Sequence, residues 1–373
     1  MPAEHAPCVV RGTRYGSSLM VSGHLSDQYA GKRIAVACHE LICSGGLLRF
    51  ERFGRVVSSW GAEVCFVVFA PTPRFFFRTQ FEVLGIADAG RRLWDMTMVP
   101  GAGFPSATVK RMRILQNPAF GTRVQHILNS PALAHKFMAL NRIIRPHVVV
   151  FNNRHWSHCD TSSFEAVQCA VVEGAVDVHR LGERSNRNTT ERRDTFVIGG
   201  LANKNPGPLI EAVRGLPSRY VLRLFGDPRE ACSLGGDLLR CGRLECAGLL
   251  DDDALPAYYG GLDCVVQTER FAGWSNLAAE ALACGLPLIC TRHGTCAFAE
   301  HGRTALVVEP ESGAIRSALE RVFTDSSFAC TVAARGRARI ESFTWERYAR
   351  ELLAVCDVSG PGAGGVSDEH SAH

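Results

Sequence analysis

The residue types best suited to chemistry lie close together within residues 267–287. A buried strand leads into a turn that carries Gly273, and Ser275 or Asn276 then caps a new helix. Free N–H groups and the helix dipole make such a helix start a favourable place for an anion. Glu280 lies on the same helix and faces the same crevice, where its carboxylate can accept hydrogen bonds from both hydroxyls of a ribose.

A second group of polar side chains, residues 152–156, directly follows a buried strand that ends at Phe151. The group includes His155, which we take as a catalytic candidate. Open parallel sheets bind their ligands beyond the C-terminal ends of the strands. Contact with a ligand and ordinary loop chemistry explain these residues about equally well, and both explanations stay open.

Apolar strands and amphipathic helices alternate with short links, which is typical of parallel sheets covered by helices. A length of 373 residues is comfortable for two such α/β domains. The sequence predicts the following division: a flexible leader at 1–31, an N-terminal domain at 32–178, a linker at 179–194, a C-terminal domain at 195–340, a helix crossing back to the N-terminal domain at 341–358, and a disordered tail at 359–373.

Residues 267–308 resemble the nucleotide-binding signature of retaining GT-B glycosyltransferases of family 4 (glycosyl transferases group 1). The resemblance rests on Gly273-Trp274, on Glu-Ala-Leu-Ala-Cys-Gly-Leu-Pro at 280–287, and on the tail at 300–308. It implies two Rossmann-like domains facing across a cleft. It also implies transfer of a sugar, with retention, from a UDP- or GDP-linked donor to a glycan, lipid-linked or small-molecule acceptor, as in polysaccharide biosynthesis. No metal and no cofactor besides this co-substrate is expected.

The resemblance assigns two sets of site residues. The expected catalytic residues are Glu269, Lys204 and His155. The expected donor-binding residues are Gly45, Gly46, Lys204, Arg270, Gly273, Trp274, Ser275, Asn276, Glu280, His293, Gly294 and Thr295. The Gly-Gly pair is also explained by an ordinary tight turn between a strand and a helix.

Two positions depart from the family pattern. Ala272 stands where the family has the first of two glutamates, with Glu269 three residues earlier as a substitute. In the family, a basic pair contacts the donor diphosphate; Lys204 matches one member, and Gly200 stands near the place of the other, an arginine. This change weakens the phosphate contact or transfers it to Arg270 or Arg292. These two positions leave open a catalytically silent GT-B module that only binds a nucleotide or a partner. A nucleotide-sugar epimerase of GT-B-like fold is a second, separate alternative. A dinucleotide oxidoreductase is disfavoured, because no Gly-x-Gly-x-x-Gly follows a first strand.

The composition of the chain limits the kinds of partner it can bind and indicates its cellular compartment. A net charge of +4, scattered rather than clustered, argues against nucleic acid as a partner. We interpret the arginines in the first half as residues on solvated helix faces rather than as contacts to anionic lipid. We interpret the acidic run 251–253 as the N-terminus of a helix, where the dipole favours negative charge, rather than as a metal site. The cysteines lie mostly in apolar segments without a Cys-x-x-Cys pair, and no apolar run reaches the ~20 residues of a membrane span. We expect a cytoplasmic protein, with peripheral contact at the inner membrane face left open.

Overall fold

The computed structural model describes residues 28–41, 45–70, 79–101, 104–128, 135–153, 168–182 and 194–357. Most of the predicted leader, most of the predicted linker and the predicted tail lie outside these ranges, and so does His155. The described residues form two sheets whose strand pairs are all parallel. The predicted α/β class is confirmed.

The first sheet has, within the described residues, seven strands in the order β3-β2-β1-β4-β5-β6-β7. The strands are β1 (Arg33–Cys38), β2 (Glu63–Val68), β3 (Glu82–Gly85), β4 (Met96–Gly101), β5 (Thr122–Ile127), β6 (Val148–Phe151) and β7 (Gln168–Val171). The helices of this part of the chain are α1 (Gly45–Ser59), α2 (Ile86–Ala89), α3 (Ser106–Arg111) and α4 (His135–Ile144), with 3-10 turns at Met112–Gln116 and Pro118–Phe120. The next helix, α5 (Val178–Leu181), packs in the apolar core of the second half. The central strands are apolar because helices cover both faces.

The second sheet has six strands in the order β10-β9-β8-β11-β12-β13 among the described residues. The strands are β8 (Phe196–Leu201), β9 (Tyr220–Phe225), β10 (Leu244–Cys246), β11 (Cys264–Gln267), β12 (Leu288–Cys290) and β13 (Leu306–Val307). The helices are α6 (Gly207–Arg214), α7 (Arg229–Leu234), α8 (Gly236–Arg240), α9 (Leu255–Gly260), α10 (Asn276–Ala283), α11 (Ser312–Thr324), α12 (Ser326–Ile340) and α13 (Trp345–Asp357).

The last helix, α13, packs on the first sheet rather than on the second. Tyr348 and Leu352 are fully buried in the same apolar cluster as Phe50 and Phe53 of α1. The chain therefore crosses back to its first half after α12.

The acidic run 251–253 does not form the first turn of a helix. Helix α9 begins only at Leu255, without an acidic residue in its first turn. The Asp251 side chain accepts a hydrogen bond from the backbone of Ala254, which closes a turn ahead of the helix. The predicted helix start at this run is therefore wrong, because the run lies directly ahead of the helix and not within its first turn.

Candidate functional site

A cavity of about 1740 Å³ lies between the two sheets. The C-terminal end of β8, the turn after β11 and helix α10 form its wall on the second sheet's side. Helix α1 forms a wall on the other side. Seven of the predicted site residues border it: Gly46, Lys204, Glu269, Gly273, Trp274, Asn276 and Glu280. The sequence therefore singled out part of the wall on the second sheet's side, together with Gly46 of α1.

A buried carboxylate holds the turn after β11 together. Glu269 is only 5% exposed, and its oxygens accept three hydrogen bonds. Lys204 Nζ donates to Oε1 over 2.7 Å, while Ser275 Oγ and Gln267 Nε2 donate to Oε2 over 2.9 and 3.2 Å. The neighbouring Asn205 Nδ2 also donates to the Thr268 carbonyl. The loop after β8 and the turn after β11 thus form one hydrogen-bonded unit.

Lys204 keeps donors available to a ligand. Its side chain is 56% exposed, although its ammonium pairs with Glu269. An ammonium carries three N–H donors, and Glu269 takes one of them. Glu269 is thus placed to position Lys204 at the cavity. Its expected direct role in catalysis stays a prediction.

Helix α10 begins as the sequence predicts. Ser275 is the N-cap, and its Oγ accepts a hydrogen bond from the Ala278 N–H while it donates to Glu269. The Ser275 side chain is buried, so its role in the structure is to fix the helix start. Asn276, at the first helical position, borders the cavity.

Glu280 lies one turn further along α10, 6% exposed and facing the cavity. The Tyr259 hydroxyl donates to its Oε2 over 2.8 Å. Burial raises the pKa of Glu280 above its ordinary value, while the charge of Arg52, the Tyr259 hydrogen bond and the charge of Arg180 act in the opposite direction. The result is a carboxylate at the cavity wall, fixed from behind by a tyrosine.

Gly273 lies at the contact between the two halves. Its carbonyl accepts a hydrogen bond of 2.7 Å from Asn153 Nδ2, which follows β6. A side chain at this position would collide with the Leu128 carbonyl and the Asn152 amide. Asn153 therefore bonds the two halves to each other here, while Asn152 donates to the Leu128 carbonyl within the first half. Both contacts support the loop-chemistry interpretation of residues 152–156 at these two positions.

Trp274 borders the cavity but is largely part of a core. It is 8% exposed, and its ring packs against Phe298 and Phe343 with centroid distances of 5.0 and 5.4 Å. A Cβ at Gly174 would collide with the indole, so Gly174 allows this close approach of the two halves.

Five described residues predicted to bind the donor are not part of the cavity wall: Arg270, Ser275, His293, Gly294 and Thr295. The backbone of residues 293–295 supports the signature turn, since the Gly294 carbonyl accepts from the Ser275 N–H over 2.9 Å. Thr295 is fully buried and donates to the Thr291 carbonyl. Donor contact by these residues stays a prediction. Arg270 and Arg292 are both exposed and neither borders the cavity, which does not support a phosphate contact transferred to them.

The sequence missed the cations that do border the cavity. Arg49 of α1 is 5% exposed, and the side chain of Arg52 is 15% exposed. The interpretation of these two arginines as solvated is therefore wrong. Arg52 Nη2 donates to both Asp252 carboxylate oxygens, over 2.8 and 2.7 Å, and this ion pair joins the two halves across the cavity. Arg180 Nη1 donates to the Asp252 carbonyl. The only sequence signal was the spacing of Arg49, Arg52 and Arg55 on one helical face.

No group of His, Cys, Asp and Glu suited to a metal ion occurs among the described residues. Within the same ranges, none of the helices has the length and apolar character needed to cross a bilayer. Cys38, Cys65, Cys264, Cys284 and Cys290 are buried free thiols, as their apolar surroundings predict.

The structure is similar over most of its length to solved glycosyltransferase structures. Anabaena HepE in complex with UDP and glucose covers 88% of this chain and 100% of its own, with a TM-score of 0.68 and 17% identity. Sucrose-phosphate synthase from Thermosynechococcus elongatus covers 87% and 98%, with a TM-score of 0.70 and 15% identity. The fold is GT-B. This confirms the predicted architecture of two facing Rossmann-like units.

Sequence similarity lies mainly in the second half of this GT-B chain. Residues 192–325 match the family model described as "Glycosyl transferases group 1". Sucrose synthase isoform 1 of Daucus carota is 32% identical over 102 residues, which is 26% of this chain and 13% of that protein. O-antigen chain mannosyltransferase B of Escherichia coli is 29% identical over 115 residues, 31% of this chain and 30% of that protein. The chain thus matches less than a third of the length of these two relatives.

Proposed function

We propose that this GT-B chain is a glycosyltransferase that moves a sugar from a nucleotide-sugar, linked to UDP or GDP, to a hydroxyl of an acceptor. The observation that carries the proposal is the grouping of Glu280, Lys204 and the start of α10 on one wall of a cavity between the two sheets. The match of residues 192–325 to glycosyl transferases group 1 supports it. So does the neighbour solved with UDP and glucose.

Each group on that wall has a proposed task. Glu280 accepts the ribose hydroxyls, and Tyr259 keeps its carboxylate in place. As the bond between the sugar and the diphosphate breaks, negative charge grows on the phosphate oxygens. The Lys204 ammonium and the free N–H groups at the start of α10 stabilise that charge because they are already oriented. Retention, an acceptor bound mainly on the first half, and independence from metal belong to the same proposal.

Ala272 shapes the donor side of the cavity. It is 7% exposed and places a methyl group on the wall where the family resemblance predicts a carboxylate. Glu269, the expected substitute, is already held by Lys204, Ser275 and Gln267. We propose that the nearby backbone, rather than a second acidic side chain, contacts the transferred sugar.

The test is nucleotide binding to the full chain with a chelator present. Calorimetry with UDP, GDP and ADP should show heat for at least one of them, and ligand at 100 times Kd should stabilise the fold by about 2.7 kcal/mol. Lys204→Met should weaken that binding, whereas Lys110→Met, an exposed lysine on α3, should not. Release of nucleoside diphosphate from a matching nucleotide-sugar then tests transfer or hydrolysis. No binding of any nucleoside diphosphate to the folded chain would refute the proposal.

A further inference from the structure

Two cysteines of the second half lie in direct contact with each other. Cys232 belongs to α7 and Cys246 is the last residue of β10, and their sulfur atoms are 3.6 Å apart, so that one thiol donates to the other. Both residues are partly exposed, whereas Cys264 in β11 and Cys290 in β12 are buried. The pair therefore differs from the buried cysteines, which pack as small apolar residues.

The backbone on both sides of this pair is held in place. Cys246 lies opposite Leu224 in the pairing of β10 with β9, and the Ala247 N–H donates to the Leu224 carbonyl over 2.7 Å. Gly235, directly after α7, lies so close to β10 that a Cβ on it would be 2.7 Å from the Leu244 side chain. The sulfur atoms have to approach by about 1.5 Å to reach the ~2.05 Å of a disulfide bond, a shift that rotation about the side-chain bonds supplies.

The loop that follows Cys246, residues 247–253, leads directly to the cavity between the two sheets. Leu250 and Asp252 of this loop border the cavity. Asp252 is also the partner of Arg52 in the ion pair that joins the two halves. A covalent bond between Cys246 and α7 would therefore fix the first end of a loop that forms part of the cavity wall.

We propose that Cys232 and Cys246 form a reversible disulfide, and that this bond restrains the loop 247–253 when the pair is oxidised. The oxidant is a low-molecular-weight disulfide, which exchanges with protein thiols through a mixed disulfide. The proposal does not depend on the proposed function, because it concerns the chemistry of two side chains and not the reaction in the cavity.

The order of the exchange steps follows from the surroundings of the two thiols. Burial, followed by the hydrogen bond with Cys232, raises the pKa of Cys246 to about 11, so Cys246 stays a thiol at neutral pH. Since the thiolate is the nucleophile, Cys232 loses its proton to solvent and attacks one sulfur of the reagent, whose other sulfur leaves as a thiolate and is protonated. Cys246 then loses its proton and displaces the second thiol from Cys232. The protein pair is oxidised, and the reagent is reduced to two thiols.

The test uses the folded full chain, first reduced and then equilibrated with oxidised glutathione. Free thiols are blocked by alkylation, and tryptic peptides are analysed by mass spectrometry without reduction. Cleavage after Arg240 and Arg243 separates the two cysteines, so the bond is recognised as a link between peptides 230–240 and 244–270. Oxidised wild type should give this linked species, and excess dithiothreitol should remove it.

Two variants identify the sulfur atoms that react. Peptide 244–270 also contains the buried Cys264, so Cys246→Ser should abolish the link while Cys264 is still present. Cys241→Ser is the matched control, because Cys241 is an exposed thiol between the two cysteines that donates to the Leu238 carbonyl, and it should leave the link in place. Fragmentation of the linked wild-type species distinguishes Cys246 from Cys264 directly, so the answer does not depend on the folding of a variant.

The bond should also change the stability of the chain and the motion of the loop. The two cysteines are 14 positions apart, and closing a loop of this length should raise the melting temperature of oxidised wild type by roughly 5 °C or more. Amide hydrogens of residues 247–253 should exchange more slowly in the oxidised chain. The proposal would be overturned by absence of the linked peptides, by an oxidised chain that melts at or below the reduced one, or by unchanged exchange in the loop.

Discussion

The substitution Glu280→Gln should weaken nucleotide binding without lowering the free energy of unfolding at pH 7. A hydrogen bond to a charged group contributes roughly 1.5–3 kcal/mol. Glutamine keeps one acceptor oxygen but offers an N–H in place of the other, so about one charge-assisted bond to the ribose is lost. The nucleotide Kd should therefore rise roughly 10- to 150-fold, as measured by calorimetry. Glu346→Gln, an exposed carboxylate bordering the same cavity, is the control and should leave the Kd unchanged.

The same variant should not lose stability at pH 7. Glu280 is buried, and its folded-state pKa lies above the ordinary 4.5, so the charged form is disfavoured in the fold. Glutamine removes that charge while the Tyr259 hydroxyl keeps an acceptor. As the pH falls, the folded chain takes up the proton before the unfolded chain does, which stabilises wild type between the raised pKa and 4.5. Any stability advantage of the variant in urea unfolding should therefore shrink over that window.

Two results would refute this reasoning. Unchanged nucleotide affinity in Glu280→Gln would show that the carboxylate does not contact the ribose. A loss of more than about 1 kcal/mol in unfolding free energy at pH 7 would show that the fold needs the charged form, against the direction of the pKa shift.

Three other changes test contacts around the signature turn. Gly174→Ala forces a methyl group into the Trp274 ring and should cost roughly 1–3 kcal/mol of unfolding free energy in urea, so an unchanged midpoint would contradict this packing. Ser275→Ala removes both a helix cap and a hydrogen bond to Glu269, and should cost about 1–3 kcal/mol, whereas Ser275→Thr should cost much less. Lys204→Met leaves the buried Glu269 carboxylate with two neutral donors and should cost about 1–3 kcal/mol of unfolding free energy, and it should weaken nucleotide binding at least tenfold by calorimetry; equal affinities would exclude its phosphate contact.

Local patterns predicted the elements that form the cavity wall. Ser275 has the polar side chain of a helix cap, and Gly285 adopts the positive φ of 69° that ends the helix, so the sequence alone defines α10. Strand β3 was missed because it is a four-residue edge strand with mostly exposed side chains, which leaves no apolar pattern to detect. Strand β7 lies at the opposite edge and is only partly buried.

The contacts across the cavity were beyond sequence reasoning for a different reason. Arg52 and Asp252 are 200 positions apart, and the sequence around each is typical of a surface residue. Their pairing depends on how the two sheets face each other. The burial of Arg49 likewise depends on Tyr348 of the last helix, which no local pattern around α1 reveals.

The position of α13 has a consequence for how the chain is made. Its apolar face, with Tyr348 and Leu352, completes the core that Phe50 and Phe53 begin. During synthesis the last strand of the first sheet ends at Val171, about 170 residues before α13 begins at Trp345. Until α13 has been synthesised, the apolar side chains of α1 that it covers, including Phe50 and Phe53, lack part of their packing. A stop codon before Trp345 would release a chain whose first half lacks part of its core, so folding of the first half depends on the last helix of the chain.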